Sequence, residues 1–104
     1  MKFRCEYTCR QSDGLTVLAA THIVKIVLRS DSAVSIEANG RCTNALDING
    51  LMSLSIENGD VVRVTVDGGD GYDVMENIEK VLTRRTERDE MSVGRQGVSE
   101  PVPV

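Results

Sequence analysis

Two alternating segments meeting at Asn39-Gly40, with a third alternation at Val62, Val64 and Val66, constrain this chain more than any other feature. Asn and Gly both tolerate positive φ, so the pair is the strongest short-range hairpin signal a sequence carries. Before it, residues 33–38 place Val34, Ile36 and Ala38 on one face and Ser35 and Glu37 on the other. After it, residues 41–45 return as a second strand. Residues 2–10 alternate as well, with Phe3, Cys5, Tyr7 and Cys9 on one side and Lys2, Arg4, Glu6, Thr8 and Arg10 on the other. A period of two leaves each strand with one apolar face and one polar face. Such a sheet needs a cover on one side only.

The cover is written between the strands. Residues 16–29 carry Ala20, Ile23, Val24, Val27 and Leu28 at helical spacing, and Arg29 suits the negative end of the dipole. Thr16 fits the N-cap, where a hydroxyl accepts from a first-turn N–H. Asp47 fits the cap of a short helix over Ile48–Leu54, whose apolar face is Ile48, Leu51 and Met52. A last helix reads from about Tyr72 to Arg85, with Val74, Ile78, Val81 and Leu82 inward. Acids crowd its start (Asp70, Asp73, Glu76) and bases its end (Lys80, Arg84, Arg85). Turns fall at 11–14, 57–60 and 67–71. The last of these superficially resembles a calcium loop but lacks the spaced acids and the terminal Glu.

The order is β-α-β-β-α-β-α. It predicts an α+β, open-faced β-sandwich: a four-stranded antiparallel sheet with three helices on one face. One domain spans 1–85. Residues 86–104 lose periodicity, end in Pro101-Val102-Pro103-Val104, and read as a flexible C-terminal extension.

Composition narrows the function classes. Only 3% of residues are aromatic, so the core is aliphatic. A formal charge of -4 argues against nucleic acid, whose phosphates demand a basic face. No apolar run approaches a membrane span, and residues 1–5 lack the apolar centre of a signal peptide, so a cytoplasmic protein is expected. Three cysteines without a signal peptide fit free thiols. Cys5 and Cys9 would lie roughly 13 Å apart along a strand, too far for a bridge. All three read as buried structural thiols. His22, the single histidine, reads as an exposed helical side chain. No nucleophile–base set, phosphate-cradling glycine motif or metal-spaced ligand cluster is present, so no enzyme, cofactor or metal is expected.

Gly14-Leu15, Ala19-Ala20, Asn39-Gly40, Asn44-Ala45, Gly50-Leu51-Met52-Ser53-Leu54 and Gly59-Asp60, at these spacings, resemble the HPr family, the small phosphocarriers of the bacterial sugar phosphotransferase system. The likeness runs without gaps from about Gly14 to Arg84. It implies protein partners, either phosphotransferase components or transcriptional regulators. It also implies a phospho-accepting histidine in the motif Gly-Leu-His-x-Arg-Pro-Ala. The matching stretch here is Gly14-Leu15-Thr16-Val17-Leu18-Ala19-Ala20. Thr16, Leu18 and Ala19 thus stand in place of the histidine, arginine and proline, as a degenerate phosphocarrier site.

The chemistry of the replaced residues matters. A neutral imidazole is a good nucleophile toward phosphorus near neutral pH, whereas a Thr hydroxyl needs a nearby base, and none is evident. Arginine would stabilise charge on the transferring oxygens, and Leu18 cannot. The free amides at the helix start would still favour an anion weakly. Two readings of Thr16 therefore stand: a plain N-cap or a residual site.

The family's regulatory serine, at the start of the short helix, corresponds to Asp47. A carboxylate there is either a cap alone or a permanent partial mimic of the phosphorylated state. The docking patch implied by the resemblance corresponds to Ile48, Asn49 and Met52, with Asn49 polar where the family is usually apolar. The resulting expectation is an HPr-like protein that has lost its carrier site and regulates by binding. The alternatives are a phosphocarrier using a non-standard residue and a small α+β interaction module with an unrelated partner. Neither the partner nor the oligomeric state is legible.

Overall fold

The structure, a computed structural model, describes residues 2–84. Seven elements follow in the expected order: β1 Lys2–Thr8, α1 Val17–Leu28, β2 Ala33–Ala38, β3 Arg41–Asn44, α2 Ile48–Ser53, β4 Val61–Asp67 and α3 Gly71–Thr83. The four strands form one antiparallel sheet in the order β1-β4-β2-β3. Arg85 and the extension read at 86–104 lie outside the described residues.

The turn at Asn39-Gly40 is a two-residue hairpin loop. Ala38 pairs with Arg41, and Asn39 and Gly40 take φ of 55° and 79°. Positive φ at both central residues matches the twist of the flanking strands, which fixes the register of β2 against β3. Asn39 does more than turn the chain. Its amide donates to the Leu54 carbonyl at 2.9 Å and the Ser55 carbonyl at 3.2 Å, satisfying the end of α2.

Val34, Ile36, Val62, Val64 and Val66 line the covered face of the sheet, and Ala20, Ile23, Val27, Leu51, Val74, Ile78 and Leu82 come down on it. Two stripe assignments are corrected. Leu28 is exposed, because α1 rests on the sheet along Ala20, Ile23 and Val27, and residue 28 falls a quarter turn off that line. Met75 is buried beside Val74, although the expected stripe of α3 omits it. The first strand also ends two residues early. Cys9 leaves the ladder to donate to the Asp60 carbonyl at 2.8 Å, and Arg10 donates to that of Leu82, also at 2.8 Å.

The thiols divide. Cys9 is buried and Cys5 half-buried, but Cys42 is exposed. Cys42 pairs with Glu37 on the edge strand β3, whose outward face has no cover, so the expectation of three buried thiols fails at that position.

The direction of the helices follows from the ladder. β1 and β2 both run antiparallel to β4, so α1, which joins them, returns opposite to α3. Hydrogen bonds fix both ends of this pair. At the start of α3, the Asp70 carboxylate accepts from Asp31 N at 3.0 Å and from the Ser32 hydroxyl, just past the end of α1. At its finish, the Gln11 amide donates to the carbonyls of Val81 and Arg84.

Candidate functional site

The start of α1 is built by local chemistry. Gly14 takes φ of +70°, and Leu15 N donates to the Ile56 carbonyl at 3.0 Å, tying this turn to the end of α2. Thr16 has extended backbone (φ -79°, ψ 168°), and its hydroxyl accepts from Ala19 N at 3.1 Å. The hydroxyl is thus engaged as the cap, one of the four first-turn amides being satisfied by it. Thr16 is exposed and Ala19 is half-buried against the core. His22 lies further along α1, exposed, in a groove facing α3 and away from the helix start.

Asp47 caps α2 in the same manner: φ is -97°, ψ is 97°, and Oδ1 accepts from Gly50 N at 3.0 Å. Gly50 is required by packing rather than conformation. A Cβ there would run into the Thr43 hydroxyl of β3 and meet Asp47 Oδ2 at 2.8 Å. Leu51 is fully buried and pins α2 to the sheet, leaving Ile48 and Met52 half-buried on its flank and Asn49 in solvent. Because the end of α2 meets the start of α1, Asp47 sits at the far end of α2 from Thr16, and the two caps are not brought together.

Between α1 and α2 lies an apolar surface that sequence reasoning saw only in part. Val17, Leu18, Leu28 and Leu46 are 61%, 68%, 66% and 46% exposed. Among the described residues only Val61 and Tyr72 join them as exposed large hydrophobics, and Tyr72 stacks on Phe3 with ring centroids 4.8 Å apart. Val17, Thr21, Val24 and Leu28 follow at intervals of four, three and four, so they share the side of α1 next to α2, while Leu18 lies about a quarter turn round from them on the outward stripe of His22, Lys25 and Arg29. Leu46 leads directly into α2. The sequence signal that could have found Leu28 and Val17 was this second stripe, rotated from the core stripe by about a quarter turn.

A small antiparallel sheet covered on one face by three helices is an open-faced α+β sandwich. The likenesses to known proteins name it. The family described as PTS HPr component phosphorylation site matches residues 3–84. The phosphocarrier protein HPr of Xylella fastidiosa (strain Temecula1) is 30% identical over 84 residues, 81% of this chain and 94% of that protein. The crystal structure of a phosphocarrier protein HPr from Bacillus anthracis superposes with a TM-score of 0.73 at 26% identity, covering 78% of this chain and 96% of that one. The Bacillus subtilis catabolite repression protein Crh, solved as a dimer with a swapping domain, is 30% identical with a TM-score of 0.60, covering 73% and 87%. The chain belongs to the HPr family. That family comprises phosphocarriers rather than catalysts in their own right, and phosphotransferase proteins are its partners.

No helix of the described residues is long and apolar enough to cross a membrane, and among those residues no group of three or more His, Cys, Asp and Glu is placed to hold a metal ion.

Proposed function

We propose that this HPr-family protein carries no phosphoryl group and acts in the cytoplasm as a regulatory adaptor, docking on another protein through the α1–α2 face. The observation that carries the reading is the apolar stretch of Val17, Leu18, Leu28 and Leu46 beside half-buried Ile48 and Met52. Burial of such surface gives about 25 cal/mol per Å². A hot spot needs an apolar centre of this kind, and Asn49 at its margin biases which partner fits.

Three further features support it. The Thr16 hydroxyl is committed to Ala19 N, and among the described residues no basic side chain is engaged with it. Leu18 offers no charge for phosphoryl oxygens. Crh, a family member whose own description is catabolite repression, is among the similar structures. The partner class that fits is a phosphotransferase component or a transcriptional regulator. Asp47 lends that surface a fixed negative charge at the α2 start, in addition to capping it.

Incubation with enzyme I and labelled phosphoenolpyruvate tests the reading. No acid-labile label should appear on the chain; transfer at a rate comparable to a family phosphocarrier would overturn it.

A further inference from the structure

A second surface, on the opposite side of α1, carries a different kind of information. Between α1 and α3 runs an open groove of about 450 Å³. Its floor includes Ile26, Val74 and Val81; His22, Lys25 and Arg29 stand on the α1 wall, and Asp70 and Asp73 on the α3 wall. His22, Lys25 and Arg29 recur at intervals of three and four, so they form one stripe. On α3, Asp73 and Glu76 point outward, away from the buried Val74, Met75 and Ile78. Among the described residues, the side chains of Lys25, Arg29, Asp73 and Glu76 make no ion pair or hydrogen bond. The outer edge of α1 is therefore basic; on α3, Asp73 and Glu76 make the first half of the matching edge acidic and Lys80 ends it, and among the described residues none of these charges is paired.

The antiparallel arrangement makes this surface complementary to itself. Asp70 is bonded to Asp31 and Ser32, so the start of α3 lies level with the end of α1, and Asp73 and Glu76 fall level with Lys25 and Arg29. A two-fold axis laid along the groove preserves those heights while exchanging the helices. It sets α1 of one copy over α3 of the other, Lys25 and Arg29 facing Asp73 and Glu76, twice by symmetry. We infer that the α1–α3 face is a self-association surface whose occupant is a second copy of this chain. It leaves the α1–α2 face open, so it stands independently of the function proposed above.

Strength follows from size and charge. Helices of 12 and 13 residues present a face about 18 Å long and two helices wide, small beside stable interfaces. Exposed ion pairs add little each and are screened by salt. The dimer is thus weak, forming only at high chain concentration and low ionic strength.

Sedimentation of the full chain from about 10 µM to about 1 mM, in low and high salt, reads this directly. The average mass should climb from 11.4 kDa toward twice that value at low salt and fall back at high salt. Charge reversal gives the decisive arm. Lys25→Glu with Arg29→Glu, and separately Asp73→Lys with Glu76→Lys, should each be monomeric, because like walls then meet. Mixed one to one, the two variants should associate again. All four sites are exposed, and circular dichroism of each variant checks that the fold is kept. A full chain monomeric throughout, association unchanged by reversal, or mixed variants that stay apart would each overturn the inference. A chain cut after Arg84 that dimerises while the full chain does not would assign the groove to residues 85–104 instead, and would overturn it too.

Discussion

The outer face of the sheet and the α1–α2 face are both open to water, yet they meet it differently. On the sheet, Arg63 donates through Nε and Nη2 to Glu6 at 2.9 and 2.7 Å and through Nη1 to Glu37 at 3.3 Å, so one guanidinium joins β1, β4 and β2. The charges there close on one another. On the helical side the exposed groups include Val17, Leu18, Leu28 and Leu46, which nothing among the described residues covers and which gain only by being covered. The contrast teaches that exposure alone does not mark a docking surface in this fold. What marks it is exposed chemistry that the chain leaves unsatisfied.

The largest test of the comparison separates the buried side of α2 from the exposed start of α1. Leu51→Ala removes a fully buried side chain and should cost about 2–5 kcal/mol in chemical denaturation. Leu18→Ser, at a residue 68% exposed, should stay within about 0.5 kcal/mol and yet weaken capture of the docking partner. If Leu18→Ser unfolds the protein as readily as Leu51→Ala, the α1–α2 face is a structural seam and not a surface.

Next in size is the cap of α2. Asp47→Ala should cost about 1 kcal/mol, since Gly50 N loses its acceptor. Asp47→Ser restores a cap without the charge and should recover most of that stability. Partner affinity measured on the same pair of variants decides what Asp47 does. If Asp47→Ser is stable but binds less tightly than the natural chain, the charge matters for docking; if it binds equally, the residue is a cap only.

Much of this architecture was legible before any coordinates, and particular residues show why. Asn39-Gly40 could form only one kind of turn, and the alternations around it had only one apolar face to bury, so the hairpin and the one-sided helical cover followed, while the strand order β1-β4-β2-β3 came only with the structure. The caps Thr16 and Asp47 were legible because capping is decided within three residues. Leu28 and Met75 were not, for a shared reason. Helical period fixes which residues share a stripe, but the angle at which the helix settles on the sheet decides where burial stops, and that depends on partners distant in sequence. Asp70 shows the same limit. It stands at the N-cap position of α3, yet its side chain makes no cap hydrogen bond and turns to Ser32 and Asp31, 38 and 39 positions away in the chain. Around the candidate site, sequence reached the two local caps, Thr16 and Asp47, and named Ile48 and Met52, but it missed the exposure of Leu28 and Leu46, which depends on how the elements assemble.

On the sheet side, Arg63→Ala should lower stability slightly at low ionic strength and leave it unchanged near 1 M salt, where exposed pairs are screened. It should leave partner capture untouched. Loss of capture on this substitution would move the docking surface to the sheet and reverse the comparison.

The smallest effect concerns acid. The Ser32 hydroxyl first, and Asp31 N next, hold the Asp70 carboxyl below the ordinary carboxylate range. Asp60 is likewise lowered, by Glu57 N and then the Asn39 amide, and it braces the turn that ends α2. A carboxylate lowered on folding stabilises above its unfolded pKa, near 4, and that contribution disappears as pH falls through the folded value. Asp70→Asn should therefore be less stable than the natural chain at pH 7, with the difference shrinking below about pH 4. Asp60→Asn should behave the same way, while also loosening the Asn39 contact next to α2. Thermal unfolding of both variants at pH 7 and about pH 3 measures this. A gap for Asp70→Asn that persists unchanged at low pH would mean that the clasp between α3 and β2 rests on shape and not on charge.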